Sequence, residues 1–146
     1  MKIAVGCDHR GFTYKERIKK ILEEKGNEVK DFGAFSEESV DYPDFAFKVG
    51  ESVSTGESLF GILICSSGVG VNITANKVKG VRAVQGCSPK MAEMSRRHNN
   101  ANVITFGQDM MEFGNVEEAM NIFLTTEFEG GRHERRVEKI TQLTGK

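Results

Sequence analysis

The sequence is poor in several features that would place it in other classes of protein. It has two prolines and no tryptophan among 146 residues, which excludes collagen-like repeats and proline-rich linkers. Hydrophobic residues make up 38% and charged residues 28%, a composition typical of a compact globule rather than of a disordered chain. We therefore expect a single domain over residues 1–146.

An excess of charge of either sign is also missing. Twenty Lys and Arg oppose 21 Asp and Glu, so the formal net charge is −1. No overall positive field exists to attract nucleic acid or an anionic membrane, and an anionic ligand must be held by local groups. The apolar runs at residues 60–65 and 103–106 are too short to span a bilayer, and the first residues lack a signal-peptide pattern. We expect a cytoplasmic protein.

Cysteine is scarce and unevenly placed. Cys7, Cys65 and Cys87 are an odd number at wide spacing, which fits neither a disulfide framework nor a zinc site. We predict free thiols and neither a metal nor a cofactor. Because free cysteine packs as a small hydrophobe, Cys7 and Cys87 are interpreted as inert core residues.

Short apolar runs alternate with segments of helical periodicity along the chain. The runs at residues 2–7, 28–32, 59–64, 81–84 and 103–106 predict five strands, with helices between and after them. Such alternation implies a parallel sheet with helices on both faces, because crossover connections are right-handed. We predict a Rossmann-like α/β fold with the flavodoxin-like strand order 2-1-3-4-5 and a switch point between strands one and three.

The switch point predicts a site at the carboxyl edge of the sheet. Asp8, His9, Cys65 and the loop at residues 66–70 should face one crevice there. Cys65 opens a Ser- and Gly-rich turn at a predicted helix N-terminus, where free N–H groups and the helix dipole favour an anion such as a thiolate. An ordinary strand-to-helix turn is the alternative, since the loop has neither a Walker motif nor the dinucleotide fingerprint.

A second group of polar residues belongs to the opposite edge. His98 and Asn99 lie between the fourth helix and the fifth strand, so His98 should not reach Cys65 of its own chain. A catalytic His98 would have to serve a neighbouring subunit; a polar helix-end cap is the alternative. Arg132 and Arg136 are four apart on the last predicted helix and either clamp one phosphate or form a solvated basic face.

Seven stretches, in order over almost the whole chain, share a pattern with one family. They are Asp8-His9 with Gly11, Asp41-Tyr42-Pro43-Asp44, Cys65 with Gly68-Val69-Gly70, Asn76-Lys77, Gly80-Val81-Arg82-Ala83, Arg97-His98-Asn99 continuing to Val103, and Gly131-Arg132-His133 with Arg136. Together they resemble the type B ribose-5-phosphate isomerase family and its galactose-6-phosphate isomerase relatives.

The resemblance implies an aldose–ketose isomerase of the pentose phosphate pathway. It would interconvert D-ribose 5-phosphate and D-ribulose 5-phosphate through a cis-enediolate, without a cofactor. The assembly implied is a homodimer, sometimes paired into a tetramer, with active sites shared between subunits.

The same resemblance implies a role for each matching residue. Cys65 would be the base that moves a proton between C2 and C1, Ser67 would relay a proton between the sugar oxygens, and His98 with Asp8 would open the furanose ring. The implied substrate-binding residues are His9, Arg132 and Arg136 at the phosphate, Asn99 at sugar hydroxyls, and Ser66, Gly68, Val69 and Gly70 at the enediolate.

Three positions depart from the family pattern and leave the sugar open. Ser67 replaces a usual Thr, Ser66 replaces a usual Gly, and Asp109 stands where many members carry a basic residue facing the neighbour's phosphate. An allose, galactose or tetrose phosphate is the alternative substrate. A non-catalytic flavodoxin-like binding module is the alternative class, although a phospho-receiver would carry an Asp after strand three, where this chain has Cys65.

Overall fold

A computed structural model describes residues 1–146 and contains five strands and six helices. In chain order they are β1 (Lys2–Cys7), α1 (Phe12–Glu24), β2 (Glu28–Asp31), α2 (Tyr42–Ser54), β3 (Phe60–Cys65), α3 (Val69–Asn76), β4 (Ala83–Gln85), α4 (Pro89–Asn99), β5 (Val103–Gly107), α5 (Phe113–Thr125) and α6 (Arg132–Thr144). Each predicted strand and helix is present. The fourth strand starts later than predicted and the fifth helix starts earlier.

The five strands form one parallel sheet in the order β2-β1-β3-β5-β4. The predicted fold class is confirmed, but the predicted order of the last two strands is wrong. All five residues of β5 are buried, whereas the three residues of β4 are half-buried. A strand covered on both faces belongs inside a parallel sheet, so β5 lies beside β3 and the shorter β4 forms the edge.

The strand order decides which helices share a face. Because the chain steps back from β4 to β5, a right-handed crossover puts α4 on the same face as α1. Ile18, Phe106 and Phe123 represent the larger core, under α1, α4 and α5. Val49 and Val71 represent the smaller core, under α2 and α3.

The last helix packs least against the rest of the chain. Within α6 only His133 is buried, while Ile140 and Leu143 are 46% and 78% exposed. Exposed apolar side chains three positions apart on one helix face can pack against a further element. None of the six helices has the length and apolar character needed to cross a membrane.

Candidate active site

Strands β1 and β3 end side by side, which brings the turn after β1 against the end of β3. The main-chain N–H of Asp8 donates to the carbonyl oxygen of Ile64 at 3.3 Å. A Cβ added to Gly11 would lie 2.4 Å from the same oxygen, so only glycine allows this approach. The turn carrying Asp8 and His9 therefore lies next to Cys65, as predicted from the switch point.

Asp8 holds this turn in place. Its side chain is buried, and Oδ1 accepts hydrogen bonds from the main-chain N–H groups of Arg10 at 2.9 Å and Gly11 at 3.2 Å. These bonds form an Asx-type turn, so the side chain of Asp8 stabilises the backbone of residues 8–11. Its part in opening a sugar ring stays a prediction.

His9 is oriented by one hydrogen bond from the backbone. The N–H of Val40 donates to Nδ1 of His9 at 3.2 Å. An imidazole whose Nδ1 accepts a hydrogen bond carries its proton on Nε2. Nε2–H is thus the donor that His9 can offer to an anion.

Cys65 lies at the end of β3 in direct contact with the turn that starts α3. Its side chain is 5% exposed, and the N–H of Gly68 donates to Sγ at 3.1 Å. Gly68 has φ of 80°, and a Cβ there would lie 2.8 Å from the carbonyl carbon of Phe106. A residue with a side chain could not bring this N–H to the sulfur. This hydrogen bond fixes the position of the sulfur at the N-terminus of α3.

The rest of the turn is fixed by further bonds. Ser67 accepts a hydrogen bond on Oγ from the N–H of Val69 at 3.2 Å, and its carbonyl oxygen accepts one from Gln85 Nε2 at 2.8 Å. A Cβ on Gly70 would lie 2.6 Å from the ring of Tyr42. The first-turn N–H groups of a helix have no partner inside it, so this rigid turn presents donors beside the thiol.

The other two cysteines have different surroundings. Burial raises the pKa of the Cys7 thiol from 9.0 to about 12, an effect only partly offset by Lys15. The prediction of an inert core thiol is confirmed for Cys7. It is wrong for Cys87, which is exposed because the turn between β4 and α4 lies at the sheet edge.

His98 and Asn99 occupy the last turn of α4, just before the chain enters β5. A helix of 11 residues is about 16 Å long. Because α4 leaves the carboxyl edge near β4 and returns to the amino edge of β5, His98 is separated from Cys65. The predicted site residues therefore form two groups, a thiol group around Cys65 and a histidine group around His98.

The histidine group contains two residues to which the sequence analysis gave no role, Glu129 and His133. The imidazole rings of His98 and His133 stack with centroids 4.2 Å apart and planes 10° from parallel. Carboxylate oxygens of Glu129 lie 3.5 Å from His133 Nε2, 3.9 Å from His98 Nε2 and 2.6 Å from the Arg97 guanidinium. Burial lowers the pKa of His133, and the neighbouring His98 lowers it further. The sequence feature that could have identified these two residues is the spacing of four positions between Glu129 and His133.

These three side chains also offer one possible metal ligand each, with ligand atoms within 4.8 Å of one another. A metal ion lies in the plane of each imidazole that binds it, and nearly parallel stacked rings have no common position of that kind. The Glu129 carboxylate is also already paired with Arg97. The cluster is suited to hydrogen bonding and proton exchange, and the expectation of a metal-free protein stays a prediction.

Arg132 and Arg136 lie at the start of α6, adjacent to the histidine group. Both are exposed and neither has a carboxylate within salt-bridge distance. His133 lies between them in sequence and stacks on His98. In addition to burial, the charges of Arg132 and Arg136 both lower the pKa of His133, so both guanidinium groups lie near that ring. Two unpaired guanidinium groups on one helix face can bind a phosphate bidentately.

The chain is an α/β protein with one parallel sheet. The turn that follows Cys65 lies at the switch point between β1 and β3, where a small anionic substrate can bind. Residues 3–140 match the Ribose/Galactose Isomerase family. The chain belongs to that family, and the resemblance predicted from its motifs is confirmed.

The similarity to individual relatives extends over nearly the full length of this chain. Ribose-5-phosphate isomerase B of Escherichia coli is 46% identical over 142 residues, covering 97% of this chain and 95% of that protein. The structure of ribose-5-phosphate isomerase B from Clostridium thermocellum has 45% identity and a TM-score of 0.98, with 99% of this chain and 98% of that chain covered. The Mycoplasma genitalium enzyme, solved with bound ribulose 5-phosphate, has 40% identity and a TM-score of 0.95 over 99% of this chain and 97% of that chain. All three relatives are named ribose-5-phosphate isomerase B.

Proposed function

We propose that this chain interconverts D-ribose 5-phosphate and D-ribulose 5-phosphate, with Cys65 as the base. The observation that carries the proposal is the hydrogen bond from the Gly68 N–H to Cys65 Sγ at 3.1 Å. It holds the sulfur of Cys65 beside backbone N–H donors that can bind an oxyanion. Family membership and the names of the relatives support the choice of substrate.

In the proposed mechanism the thiolate removes the C2 proton of the open-chain aldose. The electrons of the C2–H bond form the C1–C2 double bond of a cis-enediolate, and negative charge develops on the C1 oxygen. N–H groups at the start of α3 stabilise that oxygen; loss of one such donor costs roughly 3 kcal/mol of transition-state stabilisation. The Ser67 hydroxyl relays the proton from O2 to O1, and Cys65 returns its proton to C1.

The substrate must also be opened and oriented. His98 together with Asp8 would exchange the protons that open the furanose ring, as general acid and base. His9, Arg132 and Arg136 would hold the phosphate, and Asn99 would contact sugar hydroxyls. Fixing the phosphate places C2 at the thiolate and converts proton transfer into an intramolecular step.

The proposed roles of Cys65 and His98 require two chains, so we propose a homodimer with shared active sites. The thiol group and the histidine group lie at opposite edges of one sheet, and one sugar phosphate cannot touch both within a chain. The exposed side chains of Ile140 and Leu143 on α6 supply apolar surface for a second copy. Two such dimers would form the tetramer that some members adopt.

The proposal extends to the whole of residues 1–146 as one catalytic domain in the cytoplasm, acting in the pentose phosphate pathway. With a net charge of −1, neither nucleic acid nor a membrane is the expected partner. Six-carbon aldose 6-phosphates and tetrose phosphates are the competing substrates, because an extra carbon changes pocket depth rather than the proton-transfer groups.

A steady-state assay on a panel of aldose phosphates tests this function. We expect ribose 5-phosphate to have the highest kcat/KM, with unchanged rates in EDTA. A higher kcat/KM for allose 6-phosphate or galactose 6-phosphate would show that this sugar phosphate, and not ribose 5-phosphate, is the preferred substrate. Absence of turnover on every member of the panel, with phosphate binding intact, would make the chain a binding module.

A further inference from the structure

A hydrogen-bonded network joins the ends of three strands beside the thiol group. Oδ2 of Asp109 accepts a hydrogen bond from Ser66 Oγ at 2.6 Å and one from Arg10 Nη2 at 3.0 Å. Arg10 follows β1, Ser66 follows β3 and Asp109 follows β5. Two of the positions that depart from the family pattern, Ser66 and Asp109, are therefore in direct contact.

The network changes the electrostatic effect that a carboxylate at position 109 has on a nearby phosphate. The bonds from Ser66 and then Arg10 hold the pKa of Asp109 below its ordinary value, and its carboxylate raises the pKa of Arg10. Asp109 is thus ionised and its charge is balanced by the guanidinium. A bare carboxylate beside an anion site would repel phosphate, whereas this one is neutralised within the network.

Stabilising the fold does not account for this arrangement. The side chains of Arg10 and Asp109 are 59% and 42% exposed, and ion pairs of that exposure contribute little to stability. The pair instead limits where the Arg10 guanidinium can be. Ser66 and Arg10 bond to the same carboxylate oxygen, so the guanidinium is held close to the residue that follows Cys65.

Arg10 keeps donors for a ligand in this position. A guanidinium has about five N–H donors, and Arg10 makes a single side-chain hydrogen bond, to Asp109. His9, its neighbour in sequence, has Nδ1 occupied by Val40 and offers Nε2–H. Consecutive residues at the same edge of the sheet thus present a guanidinium and an imidazole N–H, a donor set that suits a phosphate dianion.

We propose that Arg10 is a phosphate-contacting, specificity-determining residue of this site, and that Asp109 and Ser66 position its guanidinium. The inference rests on the proposed function for the identity of the substrate. Arg10 supplies guanidinium N–H donors at the carboxyl edge, in addition to those of Arg132 and Arg136 on α6, while its charge is balanced by Asp109. Because the guanidinium is tied to Asp109, it contacts a phosphate only within a limited distance of Cys65, and so favours one length of sugar chain.

The test uses Arg10→Met, which keeps an unbranched chain but removes the charge and donors. Binding of inorganic phosphate is measured by calorimetry, and kcat and KM are measured for ribose 5-phosphate. Loss of a hydrogen bond to a charged group predicts an increase of about tenfold in both the phosphate Kd and KM, with kcat within about twofold. Arg10→Lys should recover part of the affinity.

Matched variants separate this role from charge and stability. Lys20→Met removes the same charge from α1, where Lys20 is 78% exposed, and should leave phosphate binding unchanged. Ser66→Gly removes one of the two bonds to Asp109 and should weaken phosphate binding less than Arg10→Met does. The melting temperature of Arg10→Met should match that of the unmodified protein.

Unchanged phosphate Kd in Arg10→Met would overturn the proposal, as would an equal loss in Lys20→Met. A fall in melting temperature without a change in Kd would mean that the network only stabilises the fold, and this result would also overturn the proposal. Calorimetry needs no turnover. If the unmodified chain binds phosphate but isomerises no sugar, the proposed function fails while the contact made by Arg10 is still measured.

Discussion

The main-chain N–H of Gly68 donates to Sγ of Cys65 across 3.1 Å. This contact exists because the chain turns through a left-handed residue, with φ of 80°, between β3 and α3. Sheet, turn and helix together place a thiol at a helix N-terminus. The proposed proton transfer by Cys65 depends on this contact, and the geometry of the turn can be tested by itself.

Gly68→Ala should destabilise the protein and impair the site. A side chain in the left-handed region costs about 1–2 kcal/mol, and the added Cβ would also meet Phe106 at 2.8 Å. We expect a lower free energy of unfolding in urea and a large loss of kcat. Gly114→Ala is the control, because nothing lies within 4 Å of that Cβ; an equal loss there would contradict the role of the Gly68 conformation.

Arg132→Ala and Arg136→Ala should each weaken phosphate binding. Each removes a charged donor from the same face of α6, which predicts about a tenfold rise in KM and in the inhibition constant of inorganic phosphate. Arg135→Ala takes the same charge from the same helix and serves as the control. If all three variants behave alike, the arginines form a solvated basic face.

Stability should fall at alkaline pH through Cys7. Its pKa rises from 9.0 to about 12 in the folded protein, so above pH 9 the unfolded chain loses a proton that the folded chain keeps. The free energy of unfolding therefore decreases as pH rises from 9 toward 12, by at most roughly 1.4 kcal/mol per pH unit from this group. Urea unfolding at pH 8 and pH 10 should show a smaller decrease for Cys7→Ala, and an identical slope would contradict the assignment.

Mixed dimers test whether the active site is shared. Cys65→Ala and His98→Ala should each be inactive on a furanose substrate. After dissociation and reassembly together, each heterodimer has one site with both changes and one site with neither, so activity should return toward half of the normal value per dimer. Heterodimers that form but remain inactive would mean that His98 does not serve the partner's site.

Much of the fold could be predicted from the pattern of residues. Every strand and helix follows from apolar runs and helical periodicity, and the position of Cys65 beside Asp8 follows from parallel β1 and β3. The order of β4 and β5 was missed because periodicity identifies strands without giving their neighbours. The better guide was the composition of β5, in which Thr105 is the one polar side chain and no residue is charged, compared with the fourth predicted run, which contains Arg82.

The contacts within the site were harder to predict. Arg10 and Asp109 are 99 positions apart in the chain, and the stacking of His98 on His133 depends on how α6 returns to α4. Local sequence carries no signal for such long-range pairs. The sequence indicated that Ser66 and Asp109 were unusual, but only the folded chain brings them together.

The most direct test of the account is proton transfer by Cys65. Cys65→Ala should bind inorganic phosphate with the affinity of the unmodified protein, while turnover of ribose 5-phosphate falls on the order of a thousandfold or more. In deuterium oxide, NMR should show solvent deuterium entering the product of the unmodified protein and none entering ribulose 5-phosphate incubated with Cys65→Ala. A folded Cys65→Ala protein that still exchanges deuterium and isomerises the sugar at a normal rate would contradict the assignment of Cys65 as the base.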